Sequence, residues 1–439
     1  MRRAVITGVG VVSPYGCGVE RFWTALAAGE SAIRAIRTFD ARSFPTQVAG
    51  EVPELSLDAA WLLGALADLH ITAPVGLATQ ALAWQDAGCF RDRKIGLALL
   101  AALQAWQQAG CAPDEQTAWL SIGLGLEHAL LADFVPLLAS ASGAPRSQLA
   151  WDKASQRGLP AIRFRTRVDL AADLIASGLG LRGPRLVNCS ACAAGTLAVA
   201  QGAALIERGR TDLVLCGAAD SMINPLGVGG MSRLGACSPR QAADACRPFD
   251  IRRDGLVIGE GAALFVLEDE ARARARGARP LARVLGWGST QDAYRATAPR
   301  PDGSAAAQAI QRALQRAGLS PQHIGYINAH GTGTPLNDPA EVLAIRAALG
   351  SAADTVAVSS IKGAIGHLMA AAGAVELAAC LLPFERDLLP GTAHHQKPDP
   401  ACALDIIGEE PRPARVDYVL SNSFGFGGQN ASLILGRAT

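Results

Sequence analysis

Two hydrophobic periods alternate along this 439-residue chain: short β-rich apolar runs, and longer stretches with apolar residues every three or four positions. Residues 3–12 (RAVITGVGVV) read as a strand and residues 19–28 as a helix. Residues 56–112, rich in Ala and Leu, read as helices, one of them over 97–109 and ended by Gly110. Residues 119–125 are a strand, and the polar, turn-rich stretch 138–160 is a surface excursion. A helix over 168–175 leads through residues 180–184 to a short strand ending at Leu186 and Val187. Helical spacing resumes at Thr196 and runs to Arg208. Residues 211–219 form a buried strand, and residues 255–268 read as two strands joined at Gly259-Glu260-Gly261.

A fresh unit opens near Ala282, where residues 282–290 echo residues 3–10. The same alternation follows: helix 304–317, strand 323–329, helix 338–349, strand 355–359, helix 367–382, and strands near 403–407, 416–421 and 431–436. Alternating strands and helices imply an α/β protein with parallel, helix-covered sheets. The echo implies duplication, with halves over 1–270 and 271–439.

Composition narrows the function classes. Half the residues are hydrophobic and 18% are charged, enough for a large core. A net charge of +1 gives no reason to expect nucleic acid or an anionic membrane as partner. No run of 18 apolar residues suggests a membrane span. The opening resembles a short signal peptide, but Gly8, Gly10 and Ser13-Pro14 interrupt it without a cleavage site, so it reads as strand and turn. Ten cysteines without regular spacing imply a reducing compartment, and the expectation is a cytoplasmic protein. Gly8-Val9-Gly10 invites a dinucleotide site, yet the third glycine and the acidic residue of that motif are missing; a tight turn after a core strand fits better.

The candidate chemistry centres on Asn188-Cys189-Ser190-Ala191-Cys192-Ala193-Ala194-Gly195, a strand end followed by small residues and a helix. A thiol there faces the positive end of a helix dipole, which favours thiolate. Cys192 is the candidate nucleophile. It also reads as a small buried apolar residue, or with Cys189 as a C-x-x-C redox pair or half a zinc site, although no second C-x-x-C or H-x-x-x-H completes one. In the second half, His330 follows a strand in a turn with Gly331, Thr332, Gly333 and Thr334. Residues 359–367 repeat that design with Lys362, a Gly-rich turn and His367. Strand carboxyl ends are where α/β sheets place functional groups, though either histidine alone also reads as a core or capping residue. One cysteine at a helix start and two strand-end histidines together fit acyl transfer.

Six stretches then carry a resemblance: Ser190-Ala191-Cys192, Leu226 to Gly230, Arg247-Pro248-Phe249-Asp250, Asn328 to Pro335, Lys362 to His367, and Asn422 to Gly428. The chain resembles the elongating β-ketoacyl-acyl-carrier-protein synthases of the thiolase fold, over residues 160–439 almost without gaps and over 1–55. The resemblance implies a duplicated, five-layered α-β-α-β-α architecture. It also implies decarboxylative condensation of a Cys192-bound acyl group with a malonyl group on acyl carrier protein. In this reading His330 and His367 stabilise the enolate and Lys362 supports them. Backbone N–H groups of Cys192 and Phe426 form the oxyanion hole, with Phe426 as gate. Thr332 and Thr334 bind pantetheine. Arg163, Thr166 and Phe424 are candidate acyl-pocket residues, and Asn328, Glu376, Ser421 and Asn422 surround a structural cation. No cofactor is implied beyond the carrier's phosphopantetheine, and no catalytic metal. The implied partners are acyl carrier protein and a second copy of the chain, with residues 138–180 near the interface, or a related subunit in its place. Two histidines, rather than His and Asn, point to elongation, and the lack of a second catalytic cysteine points away from degradative thiolases. A chain-length-factor-like, non-catalytic partner is the alternative; such proteins lack the cysteine.

The chain departs from the family at Ser190 (usually Thr), Gly363 (usually a hydroxyl residue), Gln429 (usually Thr) and residues 56–92. It also departs at Arg163-Phe164-Arg165-Thr166-Arg167, where relatives are mostly apolar. An unpaired buried guanidinium is prohibitively costly, so these arginines either reach solvent and ion pairs or line a polar or shortened acyl pocket. Arg163→Val tested on an acyl-chain panel separates the two. A specialised polyketide or aryl-polyene pathway and fatty-acid synthesis are both compatible with this.

Overall fold

A computed structural model describes residues 2–112, 115–125 and 167–438. The strands along the path of its main sheet are β1 (Ala4–Ser13), β2 (Trp119–Leu124), β3 (Arg185–Asn188), β4 (Leu213–Ser221), β5 (Glu260–Asp269), β6 (Ala282–Gln291), β7 (Tyr326–Asn328), β8 (Ala357–Ser359), β9 (Asp405–Ile406), β10 (Tyr418–Gly425) and β11 (Gln429–Arg437), with the short Gly16–Cys17 folded back onto β1. The helices that matter here are α1 (Val19–Ala27), α2 (Ala59–Asp68), α3 (Leu77–Asp86), α4 (Arg93–Gln108), α5 (Leu170–Leu179), α6 (Ala194–Glu207), α7 (Ser304–Ala317), α8 (Asn337–Leu349), α9 (Lys362–Ile365) and α10 (Ala372–Ala379).

Strand order repeats between the halves. The first runs β1-β5-β4-β2-β3 and the second β6-β11-β10-β7-β8, with β9 beyond β8; β1 and β6 pair through Ala4 to Ile6. The sheet is mixed, which corrects the parallel expectation. β4-β2-β3 and β10-β7-β8-β9 are parallel, but β1, β5, β6 and β11 pair antiparallel with their neighbours. A parallel pair needs a long crossover, and β10 and β11 are joined only by the turn Phe426–Gly428.

The echo at residues 282–290 is one of packing. β1 is buried throughout, and a Cβ on Gly8 would lie 2.2 Å from the Ala105 carbonyl oxygen of α4, one on Gly10 2.0 Å from that of Ala101. In β6 the approach to α7 is as close: a Cβ on Gly286 would lie 2.3 Å from Ala313 O and one on Gly288 2.0 Å from Ala309 O. The glycine pair therefore lets a helix seat on a strand.

Five layers result. α4 and α5 cover one outer face, α6 and α10 fill the middle, and α7 and α8 cover the other face. α2 and α3 pack beside α4, and Asp58 caps α2 through Trp61 N–H at 2.9 Å. Two further expectations change. Residues 255–268 hold one strand rather than two, β5 from Glu260 on; ahead of it Leu256 bridges Cys237 and Ile258 bridges His367 as isolated contacts. The helix expected over 367–382 is shortened to a 3₁₀ turn (Met369–Ala371) followed by α10, and Met369 at φ 49° lies outside the α-helical region. Among the described residues no helix is long and apolar enough to cross a membrane.

Candidate active site

Cys192 lies where β3 gives way to α6. Ala191 takes φ 48°, a left-handed value costly for a residue with a Cβ. That kink turns the chain into a 3₁₀ turn (Ala191–Ala193) and then α6, which starts at Ala194, two residues before the helical pattern suggests. Gly425 allows the approach from β10: a Cβ there would lie 2.9 Å from Cys192 N. The Phe426 backbone N–H points at the sulfur. Cys192 is buried, and burial pushes its thiol up to about 11, against the pull of Lys362 and the Phe426 N–H. The expected thiolate preference is thus overturned for the resting site, because desolvation outweighs the nearby positive ends. Cys189 is exposed and has no disulfide to Cys192.

Both histidines converge on this thiol. Sγ of Cys192 and one nitrogen from each of His330 and His367 lie within 4.8 Å of one another, all three residues buried. The imidazoles meet edge to face, centroids 5.3 Å apart. His330 follows β7, its backbone N–H donating to Glu341 Oε1 at 2.8 Å. His367 is clamped between Val257 O (2.7 Å) and Gly259 N (2.8 Å). Hydrogen bonds decide the tautomers. Met369 N–H donates to His367 Nδ1 at 3.0 Å, so that nitrogen is an acceptor. Lys362 Nζ lies 3.3 Å from His330 Nδ1 and 2.5 Å from His330 O, and is ion-paired with Glu376. An ammonium has no lone pair to offer, so His330 Nδ1 also accepts. Burial and the Lys362 charge hold both imidazoles well below their ordinary value, hence neutral. Each ring is therefore left with an Nε2–H for the cavity, a pair of neutral donors suited to a developing oxyanion.

Around this centre the structure places the other expected residues. Thr332 and Thr334 share a hydroxyl contact of 2.9 Å, and Thr334 Oγ1 accepts from Asn337 N–H at 3.2 Å. Phe424 lies against the His330 ring, centroids 5.9 Å apart. The turn that carries Phe426 is tied down by Gly427 N–H donating to Ala296 O at 2.6 Å. Asn328 Oδ1, Glu376 Oε2 and Ser421 Oγ are buried without a hydrogen-bond partner, three oxygens that a hard cation would satisfy. Asn422 differs: it donates to Glu341 at 3.2 Å and accepts from Ser432 at 2.8 Å. Gly363 is explained by Ala393, whose carbonyl oxygen a Cβ would meet at 2.4 Å. Arg163, Arg165 and Thr166 lie outside the described residues; Arg167 is exposed and pairs with Asp169 and Asp173.

Sequence reasoning missed two carboxylates. Glu341 accepts the backbone N–H groups of His330 and Gly331 (2.7 Å), and burial pushes it up to about 7. Asp338 accepts those of Thr332 (3.1 Å), Gly333 (3.2 Å) and Phe249 (2.8 Å). Arg253 braces the same loop, donating to Thr334 O at 3.2 Å and pairing with Asp399 at 2.6 Å. α8 buries Asp338 and Glu341 beside its apolar residues and exposes Leu343, an inversion at these three positions that the sequence pattern does not mark.

A buried thiol facing two neutral imidazole donors within a duplicated five-layer α/β fold defines a thiolase-like acyl-transferring enzyme. Comparison with known proteins narrows the class. The family model for the β-ketoacyl synthase N-terminal domain matches residues 1–66 and 83–273, and that for the C-terminal domain residues 281–396. The chain belongs to the β-ketoacyl synthase family. It is 36% identical over 446 residues to 3-oxoacyl-[acyl-carrier-protein] synthase 2 of Coxiella burnetii, spanning 99% of both proteins. It is 37% identical to the tetracenomycin polyketide synthase ketoacyl synthase alpha subunit of Streptomyces glaucescens, over 99% of this chain and 97% of that one. Among solved structures, the ishigamide ketosynthase/chain length factor superposes with a TM-score of 0.82 at 34% identity, covering both chains fully. A type II polyketide ketosynthase in complex with its acyl-carrier protein gives 0.82 at 28%, again over both chains.

Proposed function

We propose that Cys192, His330 and His367 carry out the decarboxylative condensation of this family on carrier-bound substrates. The Cys192 sulfur attacks the acyl thioester: the S–C bond to cysteine forms, the bond to pantetheine breaks, and the thiol proton ends on the departing pantetheine sulfur. Backbone N–H groups of Cys192 and Phe426 hold the carbonyl oxygen as it gains charge. A malonyl thioester then loses carbon dioxide, and the Nε2–H groups of His330 and His367 hold the enolate oxygen. The enolate carbon bonds to the acyl carbonyl, the cysteine S–C bond breaks, and the thiolate is reprotonated from water. Lys362 sets the His330 tautomer. Thr332 and Thr334 take the pantetheine arm.

The convergence of one sulfur and two ring nitrogens within 4.8 Å supports this reading most directly. Intact-protein mass spectrometry after incubation with acyl-carrier thioesters tests it. Cys192→Ser should lose the acyl adduct and condensation, while Cys189→Ser should load like the wild type; an adduct surviving in Cys192→Ser would refute the assignment. The non-catalytic, chain-length-factor-like alternative predicts no adduct in either protein, and Cys192 itself speaks against it.

The finer reading has four parts. The protein is a cytoplasmic homodimer, and acyl carrier protein delivers its substrates without a further cofactor. Its halves meet near residue 270, a few residues before the gap between the spans of the two family models, which end at 273 and begin at 281. Asn328, Glu376 and Ser421 hold a structural cation, with Asn422 acting through Glu341. The pathway is fatty-acid or polyketide synthesis; synthases of both kinds are about equally similar to this chain.

A further inference from the structure

The groups that meet at the reaction centre are also a ligand set for a soft divalent cation. Zinc sites use cysteine sulfur and imidazole nitrogen at about 2.0–2.3 Å, which places tetrahedral ligands roughly 3.5 Å from one another. Here the three candidate atoms already lie within 4.8 Å of one another, so inward shifts of about an ångström would close three of four positions. A metal needs the thiolate and a lone pair on each Nε2, and the structure offers the opposite. Met369 N–H occupies His367 Nδ1, and the Lys362 ammonium occupies His330 Nδ1, so both Nε2 atoms keep their protons. The two restraints differ in kind. A neutral amide bond to His367 is one a metal–nitrogen bond outweighs. The ammonium beside His330 adds a fixed positive charge in a buried site, where like charges repel strongly.

We propose that Lys362 keeps the Cys192, His330 and His367 cluster metal-free, and that removing its charge turns the reaction centre into a zinc-class site. Without the ammonium, His330 can carry its proton on Nδ1 and present Nε2 as a ligand. Glu376, released from Lys362, then stands on the outer side of that ring, the side from which carboxylates orient metal-bound histidines. The proposal concerns metal binding alone and does not depend on the condensation reading.

Cobalt(II) is the probe, since a thiolate ligand gives a charge-transfer band that oxygen and nitrogen ligands do not. The full-length wild type, Lys362→Met, Lys362→Gln and Lys362→Arg are titrated at neutral pH, with circular dichroism confirming the fold of each. Lys362→Gln is included because it keeps a hydrogen-bonding side chain beside Glu376 should Lys362→Met fold poorly. The expected result is one cobalt per chain bound at least tenfold more tightly by the Met or Gln variant than by wild type. The band should vanish when Cys192→Ser is added, and Lys362→Arg should behave like wild type. Equal affinity in wild type and the neutral variants, no band in a folded neutral variant, or a band that survives Cys192→Ser would each overturn the proposal.

Discussion

At Cys192 the field of a helix start and the cost of burial pull in opposite directions, and burial wins. A thiol near 11 is almost wholly protonated at neutral pH, so reactivity must follow the small thiolate fraction. The rate of Cys192 alkylation by iodoacetamide should therefore rise roughly tenfold per pH unit between about pH 7 and about pH 9. A plateau in that range would show a resting thiolate instead. Lys362 acts on this centre twice, lowering the thiol toward ionisation and holding His330 as an Nε2–H donor. Replacing it should thus affect both the acylation and the condensation half-reactions.

Two elements show how local packing positions chemistry. The loop bearing Thr332 and Thr334 is tethered from beneath by Asp338 and Arg253. Arg253→Met leaves Asp338 without the guanidinium 3.8 Å away and strips Asp399 of its ion-pair partner. Carrier-substrate KM should rise at least tenfold with a smaller change in kcat, while Cys192 alkylation stays within about twofold; a parallel loss of alkylation would mean general misfolding. The glycine pairs of β1 and β6 make a second, matched prediction. Gly10→Ala and Gly288→Ala each force a Cβ to 2.0 Å from a helix carbonyl. Neither backbone can move aside cheaply, so each should cost about 3 kcal/mol or more in denaturant unfolding. Similar losses at both positions would reflect their equivalence in the two halves.

On the scale of the whole molecule, duplication brings two helix starts together in the middle layer. Ala191 at φ 48° opens a 3₁₀ turn that leads into α6; Met369 at φ 49° opens a 3₁₀ turn that leads into α10. The second half thus repeats the kink but carries Ala370 where the first carries Cys192, and it contributes histidines instead. A Cβ on Gly195 would lie 2.5 Å from Ala374 N, so the two starts touch and the halves share one centre. Among the described residues the first half's part of the sheet ends at β3, an edge strand with Leu186 exposed. Unpaired edges are templates for another strand, and the proposed homodimer would cover this one. Leu186→Asp should shift the protein from dimer to monomer in light scattering; an unchanged mass would place the interface elsewhere.

From the sequence alone came the order of most strands and helices, Cys192 and the two histidines as candidates, and the repeat, because each depends on residue type and near neighbours. Small residues around Cys192 and glycines beside His330 and His367 are local marks of close approach. Only the tertiary structure decided the protonation of the thiol, the tautomers of the two rings, the mixed sheet and the roles of Glu341, Asp338 and Arg253. Those properties arise from solvent excluded by distant segments and from hydrogen-bond partners brought from other elements. Met369 N–H lies two residues from the ring it orients, yet whether it faces that ring depends on the φ 49° kink seated against the other half.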